Sequence, residues 1–311
     1  MWRFEKNPEY IKKAYTTNNP VRLGRDVVIG EYDPKPHKYN FRPVCITSRG
    51  HSGSRCISWI MANLHYYFGR TYNLSGDSYH TTPEIRRRQN VEDPLHDTII
   101  ATVNKYLSNG FYRLPANTLR DEFRFEIAEL RNLFEEHFLQ LYDSDLHSGW
   151  CWKDTDSYMI FPIFYEVLRP YNPVIFHIIR DGKDIAFKSH RTDSAVEAPG
   201  PALMKILGYD KNTPQHIRSA ASWSFQLEQF LRWGKIGDMI EIRYEEMARD
   251  PRGCIQNICR IIGAPNDLYD ASEIAKPIYS DRISQYKGEA PEQIAEVEEL
   301  ICDVLKRYDY L

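Results

Sequence analysis

The sequence predicts an α/β fold, a parallel sheet flanked by helices on both faces, and three observations carry that expectation. Two apolar runs, Pro43 to Thr47 and residues 174 to 179, show no polar alternation, the pattern of strands buried on both faces. Each run is followed by a stretch with helical spacing. Between run and helix stand polar, glycine-bearing turns, at 48 to 55 and at 180 to 182. Strands alternating with helices imply right-handed crossovers and a covered sheet, with ligands met at the carboxyl ends of the strands. Both turns fall there, so one shared site is expected.

Residues 1 to 40 read as an N-terminal arm, because "NNPVRLGRD" and "YDPKPHKYN" break any long element. Residues 41 to 311 read as one domain. After the strand at 43 to 47, Ile57, Ile60, Met61, Leu64 and Phe68 recur at helical spacing. In "TTPEI", Pro83 suits a first helical position, and Thr81 with Glu84 suits a capping box. A long helix is expected from about Leu119 to Tyr142, and a short apolar one from Tyr158 to Leu168, stopped by Pro170. The strand at 174 to 179 then enters a helix. The segment 193 to 215 reads as an insertion, before a helix that carries Trp223, Leu227, Phe230 and Leu231. "DMIEIRYEEM" gives a third strand with a helix close behind, and "PRGCIQNICRIIGAP" a helix ended by Gly263. A last helix, about Pro291 to Arg307, places Ile294, Val297, Ile301, Val304 and Tyr308 on one face.

Composition narrows the class. With 42% hydrophobic and 27% charged residues in 311, the chain can build a sizeable core. A net charge of −3 gives no global attraction to nucleic acid or anionic membrane, so any anion site must be local. The six cysteines (45, 56, 151, 254, 259 and 302) lack C-x-x-C spacing and read as reduced thiols of a cytoplasmic protein. No histidine–cysteine grouping has zinc spacing. The start has no apolar leader core, and no run approaches the ~18 apolar residues of a membrane span.

"SRGHSGSR", residues 48 to 55, is the most informative stretch. A strand that enters a helix through such a turn leaves backbone N–H groups at the positive end of the helix dipole, which suits a phosphate. The arrangement is P-loop-like. A nucleoside-triphosphate loop, however, follows its second glycine with Lys-Ser/Thr to hold the outer phosphates and Mg²⁺. Here Ser54-Arg55 follow Gly53, so a phosphate held without a metal is expected.

In order along the chain come "SRGHSGSR", "GWCWKD", "FHIIRDGKDIAFKS", "IRYEEMARDP", "IIGAP" and "SDRISQYKGE". Together these resemble the sulfotransferases that use 3′-phosphoadenosine 5′-phosphosulfate (PAPS), closest to the bacterial and tyrosylprotein types. The resemblance implies that PAPS is the co-substrate. Ser52, Gly53, Ser54 and Arg55 would then receive the 5′-phosphosulfate, and Arg180 the 3′-phosphate through a bidentate fork, with Arg282 and Lys287 closing over it. Where the family has Lys or Arg just before the Ser-Gly, this chain has His51, and Arg49 two residues earlier can reach the same space. The family's 3′-phosphate serine falls at Lys188, with Ser189 next to it. By the same resemblance Asp77, in "SGDSYH", is the general base, with His80 as runner-up.

Plainer readings stand beside these. Lys153-Asp154 reads equally as a surface ion pair or as part of the site. Tyr244-Glu245 reads as a buttress, and His177 as a satisfied core histidine. The acceptor class is open: a small molecule, carbohydrate, lipid head group or peptide tyrosine. Two rival functions are a P-loop-type small-molecule kinase and a non-catalytic nucleotide-binding protein on the same fold.

Overall fold

The structure is a computed structural model that describes residues 39–69, 71–73, 77–78 and 93–311, with the strand segments 21–23 and 27–29. The expected capping box at 81 to 84 and His80 lie outside the described residues. From the first forty residues, β1 (Val21–Leu23) and β2 (Val27–Ile29) form an antiparallel pair. The central sheet begins with β3 (Val44–Thr47), which feeds α1 (Ser54–Asn63). α1 stops before Phe68 because the chain turns back through His65, at φ +62°, to bridge Tyr67 to Trp150. β4 (Thr71–Asn73) then adds antiparallel to β2, giving a small sheet of three strands.

Residues 94 to 137 supply one flanking layer. α2 (Pro94–Ser108) starts at an Asp93 cap that accepts the His96 amide at 3.1 Å. The helix expected from Leu119 to Tyr142 is two helices, α3 (Ala116–Glu122) and α4 (Arg124–His137). They break at Phe123, whose fully buried ring packs edge-on against Phe111. β5 (Cys151–Lys153) is a strand the apolar pattern did not announce. α5 (Phe161–Leu168) leads to β6 (Val174–Ile179), and α6 (Gly182–Ala186) follows at once.

The insertion carries a helix, α7 (Gly200–Leu207), ahead of α8 (Gln215–Trp233). β7 (Asp238–Arg243) runs into α9 (Tyr244–Arg249) and α10 (Pro251–Ile262). The described chain closes with α11 (Ala271–Ala275) and α12 (Pro291–Arg307).

The main sheet has the order β5-β3-β6-β7 and is parallel throughout. Val44, Ile46, Val174, Phe176 and Ile178 face one cluster, packed by α1, α9, α10 and α11. Cys45 and Ile175 face the opposite cluster with α2, α4, α5 and α8. Ile179, at the strand end, joins α6, α8 and α12 in a third. Burial on both faces explains why β3 and β6 read as continuous apolar runs. Register then sets the site. Ile46 pairs with Lys153 and His177 with Thr47, so three strand ends lie side by side under the loop at 48 to 55.

Candidate functional site

The loop is shaped by what lies beneath it. Gly53 sits at φ +96° as the N-cap of α1, and no side chain caps that helix. A helix start with no side-chain cap leaves its first amide groups for another acceptor, the property an anion uses. Ser52 and Ser54 are buried in the loop and Arg55 is half-buried. Gly50 is needed for space, since a Cβ there would come within 2.2 Å of the His190 ring.

Arg49 lies close enough to His51 for its charge to act on that ring, and its guanidinium is held by a carboxylate. It is buried, and its Nη2 donates to Asp193 Oδ2 at 3.0 Å. A guanidinium out of water needs a carboxylate, and Asp193 is the one in reach. Asp193 also accepts the Ser219 hydroxyl and the His190 amide. Burial lowers Arg49 to about 10 against the pull of Asp193, so it stays charged. His51, at φ +69°, donates Nε2–H to the Ser189 carbonyl at 2.9 Å. Part of its ring is exposed, yet desolvation by the packed loop and then Arg49, Lys188 and Arg55 push it down to about 4. It is neutral at pH 7 and supplies no charge to the loop.

Arg180, buried at the end of β6, joins three segments. Its Nη1 donates to the His51 carbonyl at 3.4 Å, and its Nη2 to the Arg282 carbonyl. Its Nε and Nη2 donate to Asp184 Oδ2 at 3.3 and 2.9 Å. Tyr244 covers one face of the guanidinium, 4.4 Å from the ring centroid. Asp184 therefore engages the Nε/Nη2 edge, and the Nη1/Nη2 edge turns toward the loop. Tyr244 and Glu245 are the buttress the sequence suggested. Tyr244 Oη donates to the Tyr279 carbonyl, and Glu245 accepts the Asp181 amide and the Tyr310 hydroxyl, the last two at 3.0 Å.

Lys188 and Ser189 follow α6, the lysine half-buried and the serine exposed. Burial, then the Arg180 charge, brings Lys188 down to about 8. Arg282 is half-buried beside Arg180 and Lys287 is exposed on the same segment. Arg180 thus links the loop to the segment at Arg282, and Lys188 lies within reach of both arginine charges.

Asp77 meets Lys153, whose Nζ lies 2.8 Å from Asp77 Oδ1, both nearly buried. Ser78 anchors this pair to β5 by exchanging bonds with Lys153, its amide to the carbonyl at 2.6 Å and its Oγ from the amide at 3.1 Å. The open reading of Lys153 is decided for a buried partner of Asp77 at a strand end. Beside it, His96, Asp154 and Asp156 bring ligand atoms within 4.8 Å of one another. Their charges answer each other: His96 Nδ1 is 3.4 Å from Asp154, and Arg191 donates to Asp156. Burial and Asp154 lift Asp156 to about 6, against the pull of Arg191. No sequence spacing joins His96 to these aspartates, so this cluster was not foreseen. His177, as expected, is a core histidine, bonded to Tyr158 Oη at 3.1 Å.

The fold and this site define an α/β protein with a basic, glycine-bearing loop at the carboxyl edge of a parallel sheet. Residues 174–297, which carry Arg180, Arg282 and Lys287, match the family described as the sulfotransferase domain. Among solved structures the chain is similar to the sulfotransferase domain from the curacin biosynthetic pathway, at 14% identity over 85% of this chain and 98% of that one, TM-score 0.42. A sulfotransferase from Mycobacterium avium shares 12% identity over 86% and 77%, TM-score 0.41. Retinol dehydratase, solved with androsterone and the inactive cofactor PAP, shares 14% over 96% and 94%, TM-score 0.39. No curated protein matches the chain. Among the described residues no helix is long and apolar enough to cross a membrane.

Proposed function

We propose that the protein moves a sulfuryl group from PAPS to a hydroxyl or amine, and that residues 41 to 311 carry the whole site. One observation supports this above the rest: a single guanidinium, Arg180, ties the loop at His51 to the segment at Arg282. A nucleotide with phosphates at both its 5′ and 3′ positions needs two anion subsites set at a fixed spacing, and this tie supplies it.

PAPS would bring the sulfuryl group and a 5′-phosphate that leaves as an anion. The loop from Ser52 to Arg55 would stabilise charge as it grows on the departing oxygen, the effect that lowers the barrier most in reactions of this kind. Arg180 would bring the charge of its Nη1/Nη2 edge to the 3′-phosphate, while its bonds to the carbonyls of His51 and Arg282 keep the two subsites at their spacing. Lys188, Arg282 and Lys287 would add positive charge around it. Asp77, with Lys153 beside it, would accept the acceptor's proton. The reaction as proposed uses no metal, since Ser54-Arg55 stand where a Lys-Ser/Thr pair would hold one. The acceptor would be met by residues 75 to 120 and 193 to 215.

Thermal unfolding tests the reading. The desulfated nucleotide, 3′-phosphoadenosine 5′-phosphate, should raise the melting temperature, and ATP–Mg²⁺ should not; the reverse result identifies a kinase. Turnover of labelled PAPS with pooled acceptors should follow. Binding without turnover across all pools would leave a nucleotide-binding protein instead.

A further inference from the structure

We propose that Asp184 is a positioning residue for the 3′-phosphate subsite, joining Arg180 and the segment at 284 to 286 into one preset unit. The proposal rests on the reading above. Asp184 is buried in α6, four residues after Arg180 and on the same side of that turn. Its two oxygens accept four hydrogen bonds from groups far apart in sequence. Oδ2 takes Arg180 Nε at 3.3 Å, Arg180 Nη2 at 2.9 Å and the Ser284 amide at 3.0 Å. Oδ1 takes the Tyr286 amide at 3.0 Å.

These bonds decide which way Arg180 faces. With Nε and one Nη2 hydrogen held by Asp184, the guanidinium can turn only its Nη1/Nη2 edge to the loop. The plane is fixed by Tyr244, and the backbone of residue 180 by Trp223, whose Nε1 donates to the Arg180 carbonyl at 3.1 Å. The same carboxylate hangs the segment that bears Arg282 and Lys287 on that arginine. Ser284 takes φ +58°, an uncommon angle for a serine, and its amide points at Asp184. A ligand that arrives at a preset cradle does not spend binding energy on ordering it. Asp184 touches no substrate in this scheme; it acts through Arg180 and the two amides.

Asp184→Asn separates this role from a general loss of structure. Asparagine offers one oxygen, and its NH₂ faces donors, so either the Arg180 side or the Tyr286 side is lost. Calorimetry should compare 3′-phosphoadenosine 5′-phosphate with adenosine 5′-phosphate, which lacks the 3′ group. The wild type should prefer the former, and Asp184→Asn should lose about tenfold or more of that preference. Its affinity for adenosine 5′-phosphate should stay within about twofold of wild type. A variant that keeps the preference, or loses both ligands alike, overturns the proposal. If the wild type itself binds both alike, the underlying nucleotide reading falls, and this with it. Should Asp184→Asn not fold, hydrogen exchange on the wild type decides. The amides of Ser284 and Tyr286, bonded to Asp184, should already exchange slowly without nucleotide. Free exchange at both amides in the unliganded protein overturns the proposal.

Discussion

A Cβ placed on Gly53 would lie 2.2 Å from Cδ2 of the Tyr244 ring, the ring that also covers Arg180. Loop and arginine therefore share one support, and a side chain at 53 would disturb both. The backbone there, at φ +96°, by itself costs an alanine about 1–2 kcal/mol. Gly53→Val should stay folded and lose nucleotide binding. Calorimetry that finds normal affinity would place the phosphate elsewhere.

Asp77→Asn should lower kcat by about 10²–10⁴-fold while nucleotide affinity changes little. Because Lys153 would then lose its buried partner, the melting temperature should fall as well. His80→Ala should do less to kcat. Full turnover in Asp77→Asn with loss in His80→Ala would move the base three residues along.

Lys188 sits at about 8, below a free lysine, because burial and Arg180 disfavour its charge. Below that pH it is an ammonium, and above it a neutral amine. Nucleotide affinity should therefore weaken as pH rises from 7 to 9. Lys188→Ser should flatten this dependence and Ser189→Ala should not. A slope that survives in Lys188→Ser would take the lysine out of the subsite.

His190 is held well below its ordinary value by burial, then by Arg49, His51 and Arg191. The unfolded chain takes up this proton near pH 6.5 and the folded chain does not, so stability falls as pH drops through that region. His190→Asn keeps an acceptor for the Thr192 amide and removes the titration. Its melting temperature should fall less than the wild type's between pH 6.5 and 5. Asp156 and Asp181, both raised to about 6 chiefly by burial, act with the opposite sign but are common to the two proteins. Parallel curves would show that His190 is not kept neutral by the fold.

The strands at 44 to 47 and 174 to 179 were legible because burial on both faces removes polar residues from a strand altogether. β5 was not, since three residues, Cys151, Trp152 and Lys153, are too few to carry a period. α2 is signalled by its Asp93-Pro94 start and by Ile99, Val103 and Tyr106 at helical spacing. The break at Phe123 left the spacing of the long helix undisturbed, so periodicity could not see it. In the site, local signals gave the loop and Arg180. The carboxylates that hold them, Asp193 for Arg49 and Asp184 for the 284 to 286 amides, come from distant turns. Only the folded chain brings them there. That His51 stays neutral was not legible, because the order of residues along the chain does not reveal how closely the fold packs its ring or gathers Arg49, Lys188 and Arg55 around it.

The Arg180 guanidinium meets partners 129 residues before it and 102 after it. During synthesis, a nascent chain that has just exposed β6 already owns the arginine, yet the stretch around Arg282 is still to be translated. The cradle is therefore complete only once the segment around Arg282 has been made. Free nucleotide would stabilise the finished molecule by mass action and leave the unfinished one untouched. A chain cut short before Ser280 would lack both the Arg282 carbonyl and the α12 residues Val297, Ile301, Val304 and Leu305 that close the third cluster, so nucleotide would favour only a chain extended past that segment.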